Sequence, residues 1–141
     1  MITGIEISKV EANRNLNDVI SNMKFNINFD DVKVENETVN VGFTFTAVYE
    51  KGEPSSEETV GDLKIIGTII SKEGKKETEE ISSTWKSKKT LPIRFAEDVI
   101  NLLNFECGAR GTLVAYSIGF AAPLPLSRAK LQETSVGSGA A

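Results

Sequence analysis

The sequence predicts an α+β fold, in which an antiparallel, meander-type sheet of four to five strands carries C-terminal helices on one face. In the first half of the chain, apolar residues alternate with polar ones, as in strands with one buried face. In the second half, apolar residues recur every three or four positions, which is typical of amphipathic helices. We expect one domain over residues 1–132 and a disordered tail over residues 133–141, because the tail has little to bury.

The first segments predict an edge strand, a connection and a second strand. Segment 1–10 alternates isoleucine with polar residues, which weakly favours an edge strand. Segment 11–23 is rich in asparagine, which disfavours a stable helix, and is interpreted as a connection. Segment 25–29 alternates Phe and Ile with Asn, and Asp30 and Asp31 then shift the phase, as a β-bulge would.

The clearest strands come next. Segment 39–49 places six apolar residues on one face without interruption. After a polar loop at residues 51–59, segment 60–71 is apolar on both faces, which indicates a central or covered strand. A turn at residues 73–75 would close a hairpin, and segment 77–86 is predicted to return as an exposed edge strand.

The helical part begins with a hydroxyl residue and a proline at residues 90–92, a common helix start. Segment 95–103 has apolar residues at the i, i+4, i+7 and i+8 positions of one face. Gly108 and Gly111 are expected to weaken or break this helix, and segment 113–118 predicts a second helical stretch.

The two helical segments are apolar on nearly all sides. In so small a domain the sheet cannot cover every side, so we predict a homo-oligomer, a dimer or tetramer, formed through the helices. The alternative is a thick core within one chain. The candidate oligomer-interface residues are Phe95, Val99, Leu102 and Leu103.

The composition argues for binding rather than catalysis. The 141 residues include no histidine and one cysteine, which removes the usual general base and the commonest metal ligand. A net charge of −4 argues against a nucleic-acid partner. The chain shows neither a secretory pattern nor an apolar run long enough to cross a membrane, so we expect a cytoplasmic protein. We expect a non-enzyme without cofactor or metal.

Three motifs have simple explanations. Cys107 has no activating neighbour apart from Arg110 and is interpreted as a buried structural thiol. Residues 127–130 match S-x-x-K of Ser-Lys acyl enzymes, but the companion motifs of those enzymes are missing. Adjacent acidic pairs lack the spacing of a cation-binding loop, because neighbours on a strand point to opposite faces.

Four segments together suggest a family. They are VGFTFTAVYEKGE at residues 41–53, DLKIIGTIIS at 62–71, LPIRFAEDVINLL at 91–103 and FAAPLPL at 120–126. In this order, after a first strand and a crossover, they resemble the second and third strands, first helix and Pro-rich connection of the SecB-type export chaperones. The resemblance covers most of residues 5–131.

The resemblance implies a holdase, a chaperone that binds unfolded polypeptides in apolar grooves between sheet, crossover and helices. It also implies a tetramer formed by helix and strand-edge packing. The chain departs from the family in the insert at residues 107–119, in Lys64, where the family has its acidic contact for the translocation motor, and in the tail. The candidate client-binding residues are Phe25, Ile27, Phe29, Leu113, Tyr116 and Phe120.

Two other classes of function remain open at the level of sequence. One is a non-catalytic oligomeric adaptor or structural module that binds one specific protein partner. The other, less favoured, is an enzyme that works with carboxylates and hydroxyls alone. Protection of unfolded clients against aggregation would distinguish the holdase from the adaptor.

Overall fold

A four-stranded antiparallel sheet and two helices make up the computed structural model, which describes residues 1–15, 19–52, 58–121 and 123. The strands are β1 (Ile2–Arg14), β2 (Asn22–Glu35), β3 (Thr38–Lys51) and β4 (Glu58–Lys72). The helices are α1 (Lys75–Lys88) and α2 (Ile93–Ser117). The α+β prediction is confirmed, with four strands among the described residues. The predicted tail, residues 133–141, lies outside them.

The strand order is β1-β4-β3-β2, so that β2, β3 and β4 form a meander and β1 lies beside β4. The predicted edge strand is confirmed, although it reaches Arg14 and so takes up part of the predicted connection. Strand β4 is central in the sheet, in agreement with the predicted central or covered strand, and Ile66 and Ile70 on the face away from the core are partly buried. The phase shift at Asp30 and Asp31 is a register shift between Phe29 and Asp31, as predicted.

The core lies between one face of the sheet and the two helices. Helix α1 contacts β2, and α2 contacts β4 and β1. The six alternating apolar residues of β3, from Val39 to Tyr49, are all fully buried on this face. Burying one such side chain stabilises the fold by about 1.5–3 kcal/mol. The opposite face of β3 carries three threonines and one asparagine and remains partly exposed.

The predicted edge strand at residues 77–86 is wrong, because this segment belongs to helix α1. Ile81 and Trp85 are four residues apart and fit both a strand and a helix. Thr78 decides between them, because it is buried together with Ile81 and Trp85 at helical spacing, whereas Ser83 is exposed. Glu77 in the first turn and lysines in the last turn also favour a helix through its dipole.

The predicted interruption of the second helix is also wrong, because α2 runs unbroken for 25 residues through both glycines. A Cβ atom on Gly111 would lie 2.7 Å from Leu63 Cδ2 and 2.7 Å from Pro123 Cγ. Gly111 therefore serves the close approach of α2 to β4 and does not end the helix.

Candidate functional site

Helix α2 exposes a row of apolar side chains to solvent. Phe105, Leu113 and Tyr116 are 70%, 78% and 75% exposed, Ala109 is exposed, and Leu102 is partly buried at the start of the row. Successive members are separated by three, four, four and three residues, which keeps them on one side of the helix. We call these five residues the α2 stripe.

The other side of α2 is held by the core, which makes the stripe a rigid surface. Val99 and Leu103 are completely buried, and Phe95 is 7% exposed. These three predicted oligomer-interface residues therefore lie in the core of their own chain, as the alternative of a thick core anticipated. The fourth, Leu102, is at the boundary and belongs to the stripe.

One ion pair borders the stripe. Arg110 Nε lies 3.4 Å from Glu106 Oε2, one helical turn away. Both side chains are partly exposed, so this pair contributes little to stability. The pair itself adds no net charge beside the stripe.

The three predicted client-binding residues of β2 lie on the core face of the sheet. Ile27 and Phe29 are 3% and 1% exposed, and they face Phe45 and Phe43 of β3 in the strand register. Phe25 is partly exposed, and its ring centroid lies 6.1 Å from that of Phe45. Ile27 and Phe29 pack in the core, and Phe25 is the only one of the three at its margin.

The other three predicted client-binding residues divide into two groups. Leu113 and Tyr116 belong to the α2 stripe, whereas Phe120 is buried beyond the end of α2. The predictions found these two stripe residues because they lie in an apolar run. They missed Phe105 and Ala109, although steps of three and four residues from Leu113 lead to both.

Phe120 anchors the end of α2 to the sheet. Its ring stacks on Tyr49 with 4.2 Å between centroids, and the Arg14 guanidinium lies 5.0 Å from its centroid. Arg14 also donates 3.0 Å hydrogen bonds to the carbonyl oxygens of residues 118 and 119. Tyr49 Oη donates to the Ala121 carbonyl oxygen at 2.8 Å, and burial raises the pKa of Tyr49 to about 12.

Cys107 lies on the buried side of α2. Burial raises the pKa of its thiol to about 12, Arg110 acts to lower it, and Glu106 acts to raise it. The thiol is therefore protonated near neutral pH and is a poor nucleophile. In the part of the chain that the structure describes, no group of three or more His, Cys, Asp or Glu side chains is arranged to hold a metal ion.

Within the described ranges, neither helix is long and apolar enough to span a membrane. No family model and no curated protein matches this chain. The α2 stripe is the apolar surface that we take as the candidate site.

Proposed function

We propose that this chain is a cytoplasmic, non-catalytic chaperone that holds apolar segments of unfolded polypeptides against the α2 stripe. The observation that supports this proposal is the exposure of Phe105, Leu113 and Tyr116 in one row on a helix whose other side is fixed in the core. Large apolar patches on a protein surface are typical of binding sites. The resemblance of the sequence to SecB-type chaperones supports the same class.

Binding at such a surface needs no titrating group. Removing apolar surface from water releases roughly 25 cal/mol per Å², whatever the order of the client's side chains. The Glu106–Arg110 pair beside the stripe carries no net charge, so this pair favours neither acidic nor basic clients. The α2 stripe therefore suits binding that depends on apolar character more than on one sequence.

The test places two acidic groups on the stripe. In Leu113→Glu/Tyr116→Glu, both substituted side chains are already in water, so the fold should be retained and apolar binding lost. The readout is suppression of light scattering from urea-unfolded citrate synthase on dilution. The matched control is Ser83→Glu/Ser87→Glu, which adds the same charge to exposed positions of α1.

We expect the wild-type chain and the α1 control to suppress aggregation, and the stripe variant to fail, with equal circular dichroism for all three. Equal suppression by the stripe variant would place the binding surface elsewhere. Absence of suppression by the wild-type chain at stoichiometric excess would contradict the holdase itself.

A second candidate is an adaptor with one dedicated partner. The regular spacing of the stripe supports it, because steps of three and four residues fit the groove of a partner helix. A dedicated adaptor would give no protection to unrelated clients and would bind its partner with fixed stoichiometry, which size-exclusion chromatography with light scattering measures.

A further inference from the structure

The α2 stripe is symmetric about its central residue. Phe105 and Leu113 lie four residues before and after Ala109, and Leu102 and Tyr116 lie seven residues before and after it. Two antiparallel helices related by a two-fold axis at Ala109 would place each member of the stripe opposite its counterpart. Such a match between a surface and its own copy is what a two-fold interface requires.

We propose that a second copy of this chain occupies the α2 stripe through a two-fold, antiparallel pairing of α2 helices, and that this pairing competes with client binding. The competition rests on the proposed function, whereas the pairing does not. The fraction of chains able to bind a client would then fall as the protein concentration rises, because the stripe is covered in the paired form.

The shapes of the side chains fit this pairing. In the two-fold arrangement Ala109 meets Ala109, and the small methyl groups permit helix axes to approach to about 8 Å. Phe105 of each copy faces Leu113 of the other, and Leu102 faces Tyr116. Large side chains thus lie on both sides of a small centre, as in interlocking helix surfaces.

The charges at the rim are compatible with the same arrangement. Glu106 and Arg110 lie on one flank of the stripe and already pair within their helix at 3.4 Å. The two-fold axis brings both pairs to the same side of the interface, which adds two positive and two negative charges. Their sum is zero, so these four charges add no net repulsion between the two copies.

The area predicts a weak, reversible pair. A large apolar side chain such as an aromatic offers about 150–250 Å². Phe105, Leu113 and Tyr116 are each about three-quarters exposed, so together they contribute on the order of 450 Å² per copy. A pair would bury about 900 Å² in all, less than the roughly 1,200 Å² at the lower limit of stable specific interfaces. Interfaces below this limit are typical of weak, transient complexes, and a pair that competes with clients has to dissociate.

A cysteine at the two-fold axis tests the pairing. In Ala109→Cys the two new thiols should face each other and form an intermolecular disulfide with oxidised glutathione. The matched control is Ser83→Cys, exposed on α1. The wild-type chain reports on the single native thiol, Cys107, which is buried. Rapid crosslinking of Ala109→Cys alone supports the pairing. Equal crosslinking at both positions, or none at Ala109→Cys, overturns it.

A second variant checks the pairing without thiols. Phe105→Glu should remain monomeric at concentrations where sedimentation equilibrium shows the wild-type chain to associate, because each new carboxylate would be buried against Leu113 of the partner copy. A wild-type chain that stays monomeric at high concentration overturns the pairing. Association that Phe105→Glu leaves unchanged also overturns it, because the contact would then lie elsewhere.

Aggregation assays on the oxidised and reduced forms of Ala109→Cys test the competition. We expect the crosslinked pair to lose suppression and reduction to restore it, with the wild-type chain as the control for both reagents. A crosslinked pair that suppresses as well as its reduced form overturns the competition but not the pairing. A reduced form and wild-type chain that both fail to suppress overturn the proposed function, while the crosslink still decides the pairing.

Discussion

The two helices use their apolar residues differently. Helix α1 buries one narrow row, Thr78, Ile81 and Trp85, and its remaining surface is mostly charged or hydroxylated. Helix α2 buries a broad face that includes Val99 and Leu103, and still presents the α2 stripe to water. The apolar side chains of α1 are therefore buried within the chain, whereas several large apolar side chains of α2 remain exposed to solvent. This difference makes α2 the helix on which we expect a partner to bind.

The two sides of α2 should respond very differently to the loss of a leucine. Leu103→Ala removes a completely buried side chain and should lower the free energy of unfolding by about 3 kcal/mol. Leu113→Ala removes a side chain that is 78% exposed and should change the free energy of unfolding by less than about 0.5 kcal/mol. Urea denaturation measures both. Similar losses would mean that the stripe is part of the core.

The close packing of α2 on the sheet should make a helix-favouring substitution harmful. Gly111→Ala gains about 1 kcal/mol of helix propensity, but its Cβ would lie 2.7 Å from Leu63 Cδ2. Overpacking of this kind costs about 1–3 kcal/mol, so we expect a net loss of about 1 kcal/mol. The control is Ser83→Ala on α1, which should be neutral or slightly stabilising. A more stable Gly111→Ala would contradict the close approach.

The anchor beyond α2 should give an effect of similar size that depends on pH. Tyr49→Phe removes the 2.8 Å hydrogen bond to Ala121 and should cost about 1 kcal/mol at neutral pH. Because the pKa of Tyr49 is raised from 10.0 to about 12, its contribution is complete below pH 10 and is lost as the pH rises towards 12. Denaturation between pH 8 and 11.5 should show a weaker alkaline decline for Tyr49→Phe. Identical declines would exclude Tyr49 as the cause.

Strands could be predicted from the sequence where the pattern had one explanation. The alternation from Val39 to Tyr49 fits only a strand with one buried face, and the structure buries each apolar member. Helix α1 was mistaken for a strand because Ile81 and Trp85 fit both periods. Gly111 was mistaken for a helix breaker because its close neighbours, Leu63 and Pro123, are distant in sequence or across a turn.

The candidate site could be predicted only in part. Leu113 and Tyr116 belong to an apolar run that the sequence displays, but nothing in the sequence separates them from Val99 or Leu103. From the alternating pattern of β2, Ile27 and Phe29 are as good candidates for client binding as Leu113, yet they face Phe45 and Phe43 inside the core. An apolar residue is equally suited to the core and to an exposed binding surface, so its neighbours in the folded chain decide which of the two it belongs to.

The sequence by itself determined the two faces of β3 and indicated a central or covered position for β4. The preference for binding over catalysis, drawn from a composition without histidine, stays a prediction. The tertiary structure decided which side of α2 is covered. A helix can bury only the side that faces the sheet, and in α2 that side includes Gly111, where a Cβ atom would lie 2.7 Å from Leu63 Cδ2. The rotation of α2 that places Gly111 against the sheet turns Phe105, Leu113 and Tyr116 towards solvent, because residues separated by steps of three and four lie on one side of a helix.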